Sequence, residues 1–106
     1  MEFDREHVND LLDFYGPLLT SHQRDVLEEY YKEDLSMKEI AENYEISKAA
    51  ISDLIKRTLA QLQDYEKKLH HIAQFEKIEE VIEEMKGEND ERFKAYAIRL
   101  DRINRG

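Results

Sequence analysis

Apolar residues recur at steps of three and four along almost the whole chain, which is the spacing of one face of an α-helix. Residues that stop or turn a helix interrupt the pattern at Gly16-Pro17, Glu33-Asp34, Asn43 to Glu45 and Gly87. The pattern therefore predicts an all-α protein, a helical bundle in which short helices joined by brief turns are followed by a long helix and a C-terminal helix.

The first two helices are predicted over residues 3–15 and from Ser21 to about Lys32. Asp4 is a candidate N-cap for the first, and Thr20 with Gln23 matches a capping box for the second. Their apolar faces comprise Phe3, Val8, Leu11, Leu12 and Tyr15 in the first helix, and Val26, Leu27, Tyr30 and Tyr31 in the second. We assign the tyrosine pair to packing rather than to stacking on bases.

Residues 36–62 have the pattern of two capped helices joined by a tight turn. Ser36 with Glu39 matches a capping box, Ile46 is predicted to be buried in the turn, and Ser47 is a second N-cap. The predicted inward face of the second helix is Ile51, Leu54, Ile55, Thr58, Leu59 and Leu62. This spacing is typical of a helix-turn-helix that presents its second helix to a DNA major groove, and it also occurs in helical proteins that do not bind DNA.

The inward face leaves Lys48, Ala49, Ser52, Asp53, Lys56 and Arg57 pointing outward on the second helix. In a major groove, Lys48, Ala49 and Ser52 would lie closest to the bases. Lys56 and Arg57 would then hold phosphates. Asp53 opposes phosphate binding unless it accepts from a cytosine amine or pairs with Arg57 at i, i+4. The candidate nucleic-acid contacts are thus Lys48, Ala49, Ser52, Lys56 and Arg57, a surface poorly suited to sequence-specific reading.

Beyond residue 62 the apolar positions continue to residue 85. The residues are Leu62, Tyr65, Leu69, Ile72, Phe75, Ile78, Ile82 and Met85. One step, from Ile72 to Phe75, has three residues instead of four, which predicts a bend in one long helix or two helices meeting near His70 to Gln74. A stripe of this length is a candidate homodimer seam, and the alternative is that the last helix folds back over it within one subunit.

That last helix is predicted from Glu91 to about Asn104, after a helix end at Gly87 and a cap at Asn89 or Asp90. Its predicted inward residues are Phe93, Tyr96 or Ala97, Leu100 and Ile103, and its outer face holds Arg92, Lys94, Arg99, Arg102 and Arg105. The basic face is either solvated charge or a partner for the acidic run Glu79, Glu80, Glu83 and Glu84. We divide the chain into a helical domain over residues 1–62 and a helical extension over 63–106, the predicted dimerisation segment.

The chain has 106 residues and a net charge of −9, the opposite of what is expected of a strong DNA binder. Charge is nevertheless uneven, with five basic and three acidic residues over 47–69, and three basic and eight acidic residues over 20–46. There is no cysteine, no secretory signal in the acidic N-terminus and no apolar stretch of the roughly 20 residues that span a bilayer. We therefore expect a cytoplasmic protein without membrane insertion.

No pattern of catalytic or metal-binding residues is found. His70 and His71 are adjacent, so on a helix they point about 100° apart and cannot chelate one metal. His7 and His22 stand alone, and no glycine-rich phosphate loop occurs. We expect no catalytic residue, no metal, no cofactor and no enzymatic activity.

The segment from Leu19 to Leu62 resembles the region-four helix-turn-helix of bacterial sigma factors. A closer resemblance is to the YlxM-type family of small helix-turn-helix proteins of Gram-positive bacteria, over roughly residues 8–72. The blocks that carry it are DFYGPLLTSHQ (Asp13 to Gln23), YYKEDLS (Tyr30 to Ser36), EIAE (Glu39 to Glu42), Ile46-Ser47, IKRT (Ile55 to Thr58) and YEKKLH (Tyr65 to His70).

The resemblance implies an all-helical regulatory protein whose gene tends to lie beside those of the signal recognition particle. It also implies a regulatory role in that protein-targeting pathway, and the partners we expect are DNA or the particle's RNA, and the particle's proteins. This chain departs from the family at Lys48-Ala49, where an Arg-Gln type pair is usual, and at Ser52, where an aromatic is common. Two hypotheses follow: a regulator that binds nucleic acid weakly in the protein-targeting pathway, and a non-enzymatic dimeric protein-interaction scaffold that has lost DNA binding.

Overall fold

The computed structural model describes residues 4–106, and its regular structure there is helical throughout. The helices are α1 (Arg5–Tyr15), α2 (Ser21–Tyr31), α3 (Met37–Tyr44), α4 (Lys48–Leu69), α5 (His71–Lys86) and α6 (Glu91–Arg105), with a 3₁₀ turn over Gly16–Leu18. The prediction of an all-α fold is confirmed. Phe3, which was assigned to the first apolar face, lies outside the described residues.

The predicted caps of the first three helices are confirmed. The Asp4 carboxylate accepts the His7 backbone N–H at 2.7 Å and begins α1. Thr20 with Gln23, and Ser36 with Glu39, each form both bonds of a capping box, which satisfies N–H groups that the start of a helix leaves without partners.

Two compact units divide the chain, one ending at Leu69 and the other spanning His70–Gly106. The first unit holds α1 to α4, and it extends past residue 62, where the sequence suggested the end of the helical domain. The reason is contact with α1: the Tyr15 hydroxyl donates to the Glu66 carboxylate at 2.5 Å, and the Tyr15 and Tyr65 rings lie 6.0 Å apart.

The core of the first unit lies along α4, which packs against α1, α2 and α3. Its buried apolar residues are Val8, Leu11, Leu12, Tyr15, Val26, Leu27, Tyr31, Ile40, Ala41, Ile51, Ile55, Leu59 and Leu62. Thr58 is fully buried among them, and its hydroxyl donates to the Leu54 carbonyl at 2.8 Å. The predicted inward face of α4 is therefore confirmed, except that Leu54 is only half-buried.

Residue Glu45, the first after α3, adopts the left-handed conformation with φ 56° and ψ 39°. Its N–H donates to the Glu42 carbonyl at 3.3 Å, and the Ile46 N–H donates to the Ala41 carbonyl at 3.1 Å. These two bonds form a Schellman turn. Ile46 is 40% exposed, so the prediction that it is buried was wrong, because backbone bonds rather than its side chain close the turn.

The second unit is a hairpin in which α5 packs against α6. His70 interrupts the helical path with a φ of 54°, so of the two predicted alternatives the structure has two helices meeting there. Gly87 ends α5, its N–H donating to the Glu83 carbonyl at 3.1 Å. Asp90 caps α6 by accepting the Arg92 N–H at 2.8 Å.

The contact between α5 and α6 is centred on small and polar residues of α6 rather than on its large apolar ones. Ala97 is fully buried, and the Asn104 amide donates to the Phe75 carbonyl at 3.3 Å. Phe93, Leu100 and Ile103 are exposed, so the prediction that they point inward was wrong. Because Ala97 and Asn104 face α5, the fixed rotation per residue of the helix turns the larger apolar residues of α6 away from the centre of the contact.

We expect Glu45→Gly to stabilise the protein by about 1 kcal/mol, because glycine adopts the left-handed conformation without the steric cost paid by other residues. Glu42→Gly is the matched control, since the same change inside α3 should destabilise by about 1 kcal/mol. Urea denaturation of both variants measures whether each substitution raises or lowers the free energy of unfolding. A loss of stability in both would contradict the role assigned to the turn.

Candidate nucleic-acid interface

The outward surface of α4 consists of two neighbouring rows of residues spaced four apart. The lysine row holds Lys48, Ser52 and Lys56, and the ion-pair row holds Ala49, Asp53 and Arg57. All are exposed except Ser52, which is half-buried. The structure thus brings the five sequence-predicted contacts together on one side of the helix that follows the turn.

Charge is distributed unequally between the rows. In the ion-pair row, Arg57 Nη2 lies 2.8 Å from Asp53 Oδ2, which is one of the alternatives that the sequence left open for Asp53. In the lysine row, Lys48 and Lys56 form no ion pair with any residue that the structure describes. The positive charge available to a ligand therefore lies in the lysine row.

The start of α4 is held by Ser47, whose hydroxyl accepts the Ala50 N–H at 3.0 Å, as the sequence predicted. This places Lys48 in the first turn, at the end of the helix where backbone N–H groups lack intrahelical acceptors and the helix dipole favours an anion. Lys48 and Lys56 are eight residues apart, or about 12 Å along the helix axis, a span similar to the width of a major groove.

The helix preceding the turn presents acidic residues. Glu39, Glu42 and Glu45 are exposed on or beside α3. A phosphate backbone approaching α4 would meet repulsion on this side, because surface charges interact over about a Debye length. The surface is thus suited to a narrow contact along α4 and not to a broad one across both helices.

A hydrogen bond that the sequence did not reveal joins α3 to α2. The Tyr44 hydroxyl donates to the Glu29 carboxylate at 2.8 Å, and the His22 ring meets the Tyr44 ring edge-on at 5.0 Å. The pKa of Tyr44 is raised to about 12. Desolvation is the largest cause, and the hydrogen bond to Glu29 and the nearby acidic groups contribute less. No periodicity signals the pair, because Glu29 and Tyr44 are brought together only by the packing of the two helices.

The proposed dimer seam is distributed over both units. Its members are Leu62, Tyr65 and Leu69 on α4, and Ile72, Phe75, Ile78, Ile82 and Met85 on α5. Leu62, Ile72 and Ile82 are buried within their own units, whereas Leu69 is exposed. Their role in a dimer stays a prediction.

Within residues 4–106, no group of three or more histidine and acidic side chains is arranged to hold a metal ion. None of the helices in that range combines the length and apolar character needed to span a bilayer.

Comparison with known proteins identifies the family. The family model described as "Putative helix-turn-helix protein, YlxM / p13 like" matches residues 3–100. The chain belongs to this family, UPF0122. Its relatives include the UPF0122 protein of Limosilactobacillus reuteri, 51% identical over 77 residues, which are 72% of this chain and 68% of the relative.

Two further UPF0122 relatives show the same likeness. The UPF0122 protein BH2485 of Halalkalibacterium halodurans is 47% identical over 79 residues, which are 74% of this chain and 72% of the relative. The UPF0122 protein GK1195 of Geobacillus kaustophilus is 43% identical over 90 residues, 85% of this chain and 82% of the relative. The identification of a YlxM-type helix-turn-helix protein from the sequence is confirmed.

The UPF0122 match ends at residue 100, well past residue 72, where the resemblance seen in the sequence stopped. It therefore includes α5 and most of α6. The family description names a helix-turn-helix, the arrangement formed here by α3, the Glu45 turn and α4, and it names no reaction.

The Tyr44 bond predicts how stability depends on pH. In the unfolded chain Tyr44 has its ordinary pKa of 10.0, whereas in the folded protein its pKa is about 12. The unfolded state therefore loses this proton first, and the free energy of unfolding should fall as the pH rises from 10.0 to about 12. Below pH 10 the contribution is fully present. Tyr44→Phe should remove this fall in the free energy of unfolding, and Glu29→Gln should reduce it. Urea unfolding of each variant at a series of pH values above and below 10 measures the effect. A profile unchanged in both variants would contradict the assignment.

Proposed function

We propose that this UPF0122 protein is a cytoplasmic, non-enzymatic regulator that binds nucleic acid weakly through α4, by the phosphate backbone rather than by base sequence. The observation that carries the proposal is the lysine row. Lys48 and Lys56 are exposed and without ion-pair partners among the described residues, on the helix that a helix-turn-helix presents to a groove.

The side chains between these lysines support backbone contact over base reading. Ala49 has no polar group, Ser52 is half-buried, and Asp53 is held by Arg57. Base discrimination needs donors and acceptors that reach the base edges, preferably in bidentate pairs. A surface with two free ammonium groups and few groups that reach base edges binds the phosphates of a nucleic acid whatever its base sequence. Its affinity depends strongly on salt concentration.

The signal recognition particle is the cellular setting we propose. Its support is the YlxM-type resemblance, which implies a regulatory role in protein targeting. The particle's RNA is accordingly the RNA we propose as a target beside duplex DNA, and the particle's proteins are the proposed protein partners.

Fluorescence anisotropy with mixed-sequence duplex DNA and with the particle's RNA, across a salt series, tests the proposal. Lys56→Ala should weaken binding equally for all sequences and reduce the slope of log affinity against log salt by about 1, because one phosphate contact is lost. Arg57→Ala should have a smaller effect, since its charge is already paired, and Asp53→Asn should tighten binding by freeing Arg57.

Lys77→Ala is the matched control, an exposed lysine on α5 without an ion pair among the described residues, and it should leave affinity unchanged. Absence of binding to either nucleic acid at about 50 mM salt would overturn the proposal. A loss confined to one DNA sequence in Lys56→Ala would also contradict it, since that result requires base reading.

The second candidate function is a dimeric protein-interaction scaffold that has lost DNA binding. Acidic residues on α3 and the Asp53–Arg57 pair favour it, because both reduce attraction to phosphate. Exposed apolar side chains also favour it, notably Leu69 in the seam. Light scattering after size exclusion, combined with the anisotropy measurements, separates this candidate from the first: a dimer without nucleic-acid binding supports the scaffold alone.

A further inference from the structure

Two exposed cations of the second unit have no acidic partner. Three of the five basic residues of α6 are paired within the hairpin, as Arg92–Asp90, Lys94–Glu91, Arg105–Glu79 and Arg105–Asp101. Arg99 on α6 and Lys77 on α5 are exposed, and neither forms an ion pair with any of residues 4–106. These two cations are therefore available to an anion outside the hairpin.

An apolar face that includes both helices is bordered by these two cations. Lys77, Val81 and Met85 follow one another at steps of four along α5, so they form one row. Arg99 lines an open depression of about 400 Å³ together with Met85, Tyr96, Leu100 and Ile103. We define the apolar face as Val81, Met85, Phe93, Tyr96, Leu100 and Ile103, whose α6 members are 39% to 76% exposed. The face itself is uncharged, and its borders are positive.

The glutamates of α5 belong to a different surface. Glu76, Glu79, Glu80, Glu83 and Glu84 line a broad open surface together with Arg105. That surface shares no residue with the depression beside Arg99. A partner that covers the apolar face therefore meets apolar side chains and cations rather than the five glutamates.

We propose that the apolar face binds the surface of an anionic lipid bilayer, with α5 and α6 lying in the plane of the interface. Such a surface combines anionic headgroups with acyl chains just beneath them, so it offers a partner for the cations and another for the apolar side chains. A helix with Lys or Arg beside an apolar face is typical of this contact. Phe93 and Tyr96 supply aromatic rings, and a tyrosine suits the boundary because its ring is apolar and its hydroxyl is polar.

Charge and shape favour a bilayer over other occupants of the face. A second copy of the hairpin would bring Lys77 and Arg99 against the same cations, and a nucleic acid would leave the apolar side chains without a partner. Ile103 projects with 76% of its surface exposed, and a deformable lipid interface accepts a projecting group without a matching groove. Because the whole chain has a net charge of −9, an anionic surface favours approach through a face bordered by cations. The inference is independent of the proposed nucleic-acid binding, which uses α4.

Sedimentation of the full chain with lipid vesicles gives the first test. Vesicles of equal parts phosphatidylglycerol and phosphatidylcholine should bind the protein at about 50 mM salt, and binding should weaken severalfold at about 500 mM because surface charges are screened. Vesicles of phosphatidylcholine alone should bind about tenfold less, since the attraction of both cations is lost.

Charge variants locate the contact on the hairpin. Lys77→Gln should lower the partition coefficient about fivefold, the contribution of one cation close to an anionic surface. Lys94→Gln is the matched control, because Lys94 is already paired with Glu91 and lies about 160° around α6 from Tyr96. It should leave binding unchanged. A loss caused by Lys56→Ala as large as that caused by Lys77→Gln would assign vesicle binding to α4 and overturn the proposal.

Tryptophan fluorescence tests the apolar face without changing its charge. The chain has no tryptophan, so Ile103→Trp and Ile98→Trp each introduce a single one. Both positions are exposed, and they lie about 140° apart around α6. On anionic vesicles the emission of the first should move to shorter wavelength, and that of the second should not. Absence of binding to anionic vesicles at about 50 mM salt would overturn the proposal, as would equal binding to phosphatidylcholine alone or the same emission shift in both variants.

Discussion

Burial of the apolar stripe of α4 is the constraint on which the first unit depends. Ile51, Ile55 and Leu62 are fully buried where α4 meets the three helices before it, and each such side chain contributes about 1.5 to 3 kcal/mol. Because a helix has a fixed rotation per residue, burying this stripe also decides which residues face outward. The lysine row and the ion-pair row are therefore consequences of core packing, and no separate device is needed to orient them.

Electrostatics explains why a helix-turn-helix need not make a strong DNA binder. The fold requires only two capped helices and a turn, and those are formed here by Ser36, Glu45 and Ser47. Affinity for nucleic acid depends instead on how many cations can reach phosphates. The fold is complete here, although Asp53 pairs with Arg57 and acidic residues are exposed on α3, and both features reduce the positive charge that α4 presents.

Local patterns in the sequence were sufficient for the helices, their caps and the interruption near His70, because each depends on residues close along the chain. They were insufficient where tertiary packing decides. Ala97 and Tyr96 lie 100° apart on α6, and periodicity left open which of them faces α5. Glu29 and Tyr44 meet only because α2 packs on α3, and Ile46 is exposed because backbone bonds close the turn. At the candidate interface, the Asp53–Arg57 pair is one of the two alternatives that the sequence left open for Asp53, and the role of the five predicted contacts stays a prediction.

Affinity for a long nucleic acid depends on the number of α4 surfaces that engage it as well as on the charge of each one. A dimer of this chain would carry two copies of α4, each with its own lysine row. When one copy is bound to a long nucleic acid, the second contact becomes intramolecular, and its effective concentration can raise overall affinity by two to four orders of magnitude (about 10² to 10⁴) where the geometry allows both to engage. Two weak, sequence-tolerant surfaces can thus produce useful binding that neither produces alone.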